Sequence, residues 1–144
     1  IKEIGENLMS ELEKSKVYFT DFRCEVDEGP ATKLSRLIDQ AGLGAMDLEG
    51  KFVAIKMHFG ELGNMTIPAK LGQAVVDYVI AHGGKPFLTD CNTLYPGSRK
   101  NALEHLYCAW ENGFTPLTVG CPVIIGDGLK GTDDIAVPVH GGEY

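Results

Sequence analysis

No apolar run in this 144-residue sequence approaches the ~20 residues that a membrane-spanning helix needs. No charged-then-apolar leader with a small-residue cleavage site opens it, so a secretion signal is not read. Those two absences predict a cytoplasmic protein with no membrane partner. Basic charge is also short. Thirteen Lys and Arg face 20 Asp and Glu, and the net charge of −7 argues against a general nucleic-acid binder, which would carry a basic stripe. The four cysteines, Cys24, Cys91, Cys108 and Cys121, contain no C-x-x-C pair. Their spacing therefore gives neither a zinc ribbon nor an iron–sulfur cluster held by this chain. They read as reduced thiols, mostly buried. No Walker-A sequence occurs, so a P-loop nucleotide cradle is not indicated.

What remains is an ordinary globular composition, 44% hydrophobic and 23% charged, with enough residues for one domain and a real core. The chain opens on Ile1, and its last residues follow directly on a strand-like run. The expectation is part of a longer protein. Residues 1–15 carry Ile4, Leu8 and Leu12 at helical spacing and read as a helical appendage. Residues 16–144 read as the α/β domain proper.

Five strands are predicted, at Lys16–Phe22, Phe52–Phe59, Lys85–Cys91, Pro122–Ile125 and Ile135–Val139. Helices are predicted after Pro30, after Pro68, and after Ser98 as N-cap. His82 falls in the last turn of the second helix, where a cation suits the helix dipole. His105, on the third, reads as a surface or capping histidine. Strand–helix alternation at this spacing implies crossover connections and a mostly parallel, Rossmann-like sheet covered by helices in a three-layer α/β sandwich.

In such a sheet the carboxyl ends of all strands share one edge, and ligands bind there. The loops leaving that edge hold the chemistry. The first offers Asp21 and Arg23; the second Lys56, His58, Glu61 and Asn64; the third Thr89, Asp90, Asn92, Tyr95 and Arg99; the fourth Asp127 and Lys130. The opposite loops are plain, for example Gly83-Gly84 and Gly113-Phe114-Thr115-Pro116. Arg23, Lys56, Arg99 and Lys130 suit a carboxylate or phosphate, so a small anionic ligand is the expected partner. His58 suits a general base or a metal ligand, and Asp90 and Glu61 would orient it or bind a hard cation. His58 and Asp90 are thus the candidate catalytic pair, with no particular metal indicated. The plainer alternative is that Lys56 and His58 line one solvated strand face, and that Asp127-Gly128 is a turn. A homo-oligomer stays open.

Several motifs occur in a familiar order: Val17-Tyr18-Phe19-Thr20-Asp21-Phe22-Arg23, Lys56-Met57-His58-Phe59-Gly60-Glu61, Gly84-Lys85-Pro86-Phe87-Leu88-Thr89-Asp90 with Asn92-Thr93-Leu94-Tyr95, and Asp127-Gly128-Leu129-Lys130-Gly131. From about Lys16 onward the chain resembles a bacterial and archaeal family labelled as iron–sulfur-centre proteins and classed as a domain of unknown function. The resemblance implies longer full-length members, many with a ferredoxin-like, cysteine-rich domain after this one. It implies an iron–sulfur cluster only for that downstream domain, since this chain lacks the cysteine run, and a redox-linked role for the whole. The family commonly has threonine where Cys91 stands. The chain is also similar, more distantly, to the N-terminal domain of the nickel-pincer lactate racemase. There an Arg after the first strand and a His after the second match Arg23 and His58. That likeness bears on the fold and the place of the site; a racemase-like or other small-molecule enzyme with His58 as base is the second alternative. A non-catalytic scaffold or maturation module is the third alternative.

Overall fold

Phe52-Val53-Ala54-Ile55 and Phe87-Leu88-Thr89 are short, apolar and rich in strand-forming side chains, as expected of strands inside a parallel sheet. The computed structural model describes residues 15–64, 66–139 and 141. The expected helical appendage therefore lies outside the described residues, except for its last residue. Three strands make one all-parallel sheet in the order β1 (Phe52–Lys56), β2 (Lys85–Asp90), β3 (Val123–Ile125). The expected neighbours, β1 and β2, pair from Phe52 opposite Lys85 to Lys56 opposite Thr89. The helices are α1 (Pro30–Gln40), α2 (Ala69–Ala81), α3 (Ala102–Glu111) and α4 (Pro116–Val119), with a short 3-10 turn at Leu43–Ala45. The α/β class and the parallel sheet are as the sequence predicts.

Strand order equals chain order. Successive crossovers of one hand that step the same way across a sheet place their helices on the same face. The core agrees. Leu88 and Ile125 point from the sheet into one cluster with Val76 of α2, Ala109 of α3, Val119 of α4, and Phe59 and Phe114 from loops. Phe59, Val76, Leu88, Ala109, Phe114 and Val119 are all fully buried. On the other face Phe52 is 81% exposed and Ile124 47%.

The structure corrects the sequence reading at several places. Residues 16–22 join no strand, and Val17 and Phe19 are exposed. Lys33 of α1 explains why. Its ammonium donates to the Asp21 carbonyl (2.9 Å), the Asp21 carboxylate (2.9 Å) and the Arg23 carbonyl (2.6 Å), tying the segment to α1. Residues 135–139 likewise form no strand, and Ile135, Val137 and Val139 are exposed. Pro138 there has no N–H to give a ladder. β1 stops at Lys56 rather than Phe59, because Phe59 turns into the core. The N-cap of α3 is Asn101, whose side chain accepts from the Glu104 amide at 3.0 Å, and not Ser98. The short helix α4 was not expected; Thr115 and Thr118 cap it reciprocally.

Gly84 lets α2 return closely onto β1. A Cβ there would lie 2.6 Å from Val79 Cγ1 and 3.2 Å from Val53 Cγ2. Gly84→Ala is expected to destabilise the domain by about 1–3 kcal/mol through overpacking, read as a lower urea midpoint with an unchanged slope.

Candidate functional site

The loop after β1 is built around one buried ring. Met57 still donates its amide to the Thr89 carbonyl at 2.9 Å, so the chain leaves the sheet only after it. Phe59 then inserts between His105 and Phe114, with ring centroids 5.9 and 5.3 Å away. This forces a reversal at Gly60, whose φ is +84°. A side chain there would be strained and would meet Thr66 Cβ at 2.7 Å and Asn112 Nδ2 at 2.9 Å. The reversal aims the Gly60 amide at His58 Nδ1, 3.0 Å away. A ring nitrogen that accepts carries no proton, so the neutral His58 holds its proton on Nε2. In this arrangement His58 is a hydrogen-bond donor with no free lone pair.

Asp90, the last residue of β2, is 4% exposed. Lys56 Nζ lies 2.7 Å from its Oδ1, and the Cys91 amide donates to the same oxygen at 2.9 Å. Its Oδ2 faces His105 Nε2 at 3.4 Å and Arg99 at 3.6 Å, and has no partner in hydrogen-bond geometry. Burial pushes the Asp90 pKa up, but His105, Lys56 and the Cys91 amide outweigh it and hold the carboxyl below its ordinary range. His105 corrects the sequence reading. It is fully buried, neither on the surface nor capping, and neither ring nitrogen has a partner in hydrogen-bond geometry. Ala102, His105 and Ala109 share the apolar face of α3 at helical spacing, and that was the available signal.

Arg99 is 4% exposed and gives its guanidinium to Glu61 as well as to Asp90. Its Nε donates to Glu61 at 2.9 Å and its Nη2 to the Tyr95 hydroxyl at 2.6 Å; that hydroxyl donates to Glu61 at 2.7 Å. Arg99 and Tyr95 lower the Glu61 pKa, with burial opposing them. Lys56, Glu61, Asp90, Tyr95 and Arg99 are therefore one connected cluster across the carboxyl ends of β1 and β2. Asn92 belongs to a neighbouring network. Its amide donates to the Asp127 carboxylate at 3.0 Å, and its Nδ2 donates to Asp127 Oδ1 and the Gly128 carbonyl. Arg23 stands apart, 94% exposed and paired with Asp21 at 3.5 Å. Asn64 and Lys130 are exposed on their loops and outside the cluster. His82 caps α2, its Nδ1 2.8 Å from the Tyr78 carbonyl.

Cys24 and Cys91 are exposed, while Cys108 and Cys121 are buried. Among the described residues no three His, Cys, Asp or Glu side chains are grouped to hold a metal ion. Among the described residues no helix is long and apolar enough to cross a membrane.

A family model described as a domain of unknown function, DUF362, matches residues 53–144. No curated protein and no solved structure matches the chain.

A carboxyl with a lower pKa folded than unfolded stabilises the fold above its unfolded value, and that stability is lost as pH falls through the folded value. Asp90→Asn should flatten the decline of stability below pH ~4, read by urea unfolding across pH. Asp90→Ala leaves Arg99 short of a buried partner and should cost about 3–5 kcal/mol at neutral pH.

Proposed function

The chain belongs to the DUF362 family of domains of unknown function, and within it we propose a ligand-binding domain that holds a small anion at the carboxyl edge of the sheet. One observation carries the reading: the Gly60 amide occupies His58 Nδ1 and leaves Nε2–H as a donor. The Lys56 ammonium supports it. That side chain is 62% exposed and sits on Asp90 at 2.7 Å, with further N–H groups to give. Arg99 and Lys56 offset the carboxylates beneath, so an arriving anion does not meet bare negative charge. Parallel sheets bind ligands at this edge in general.

The resemblance to iron–sulfur-centre proteins extends the reading to a redox-linked whole, in which this domain presents the ligand and a downstream domain carries the cluster. The racemase-like alternative asks His58 to take up a proton. Its one lone pair is engaged by Gly60, which weighs against that role. A scaffold without a ligand is separated by the binding test.

Titration of the chain with acetate and with inorganic phosphate, followed by amide and imidazole nitrogen NMR, should give saturable shifts at Lys56, Gly60 and the His58 ring. His58→Ala should weaken binding by about 1.5–3 kcal/mol, the scale of one hydrogen bond to a charged group. Shifts that never saturate, or that leave these three residues untouched, would reject the anion site.

A further inference from the structure

A cavity of about 350 Å³ opens beside β1, walled by Phe22, Leu34, Ile55, Lys56, Met57 and Leu71, with its remaining walls apolar. Lys56 alone among its wall residues is charged, and Lys56 also belongs to the ionic cluster. The cavity and the cluster therefore share one residue at the carboxyl end of β1. A larger groove of about 510 Å³ runs between α1 and α2, past Ser35, Lys70 and Asp77, and includes no residue of the cluster.

We propose that the anion is the head group of a carboxylic acid whose apolar tail fills the cavity beside β1. The inference rests on the anion-binding reading and names the ligand class. Apolar walls with one convergent polar group are the usual make-up of a small-molecule site, and the volume lies in the usual range of about 300–1,000 Å³. An apolar cavity of ~150 Å³ already takes up benzene, so this one has room for a longer hydrocarbon group. Phe22 is 75% exposed and Ile67 50%, so the cavity has an open mouth. The head group follows from charge: Lys56 is the one charged residue of the cavity wall, and a carboxylate brings a single negative charge to it.

The test is calorimetric titration of the full chain with acetate, butanoate, hexanoate and hexanol. Affinity should rise about fourfold per added methylene, following the transfer free energy of a buried CH₂, and hexanol should bind more weakly than hexanoate. Lys56→Met should weaken hexanoate at least tenfold. Leu34→Phe, which fills the cavity, should lower the ratio of hexanoate to acetate affinity, with circular dichroism checking each variant's fold. Equal affinity for acetate and hexanoate overturns this inference and leaves the anion site standing. Hexanoate binding that ignores Lys56→Met overturns the head-group assignment. Failure of every acid to bind defeats both readings. The chain-length series on the unsubstituted chain decides the tail even if neither variant folds.

Discussion

The carboxylate of Asp90 is the constraint on which the upper half of the domain depends. It ends the central strand almost out of solvent, where an unpaired charge would be very costly. The groups around it come from different elements: Lys56 from β1, the Cys91 amide from the turn after β2, Arg99 from the loop before α3, and His105, close by without a hydrogen bond, from α3 itself. Holding that carboxylate fixes the height of α3 against the sheet and the direction in which the third loop leaves. Arg99 then passes the constraint to Glu61 and Tyr95, so the loop after β1 is set by the strand beside it.

The elements that sequence made legible are those whose signal is local. β1, β2 and β3 are apolar runs, and α1 begins at a proline. Residues 16–22 and 135–139 have equally good strand composition, yet pairing is decided by what lies across the gap, and Lys33 drew the first of them towards α1. The start of α4 was hidden because its capping box uses Thr118 where Glu or Gln would be the usual cue.

The gathering of charged side chains at one sheet edge was readable from topology, since loops from that edge held them. Their pairings were not readable. Arg99 looks in sequence like a ligand-binding cation, but its guanidinium faces Glu61 and Asp90. Arg23 looks the same and pairs with its neighbour Asp21 instead. His58 looks like a base, and only the backbone reversal at Gly60 shows that its Nδ1 accepts from a backbone amide. Ionic partners are chosen by proximity in the fold, which residue type and spacing do not encode.

The sheet grows from β1 to β3 in the order in which the chain is written. During synthesis β2 therefore meets β1 already made, and β3 meets β2, so among the described strands none waits for a later one to be inserted beside it. All members of the ionic cluster lie between Lys56 and His105. That cluster can close while β3 is still inside the ribosome, which shortens the time that a bare Asp90 or an unpaired strand edge is presented to other nascent chains.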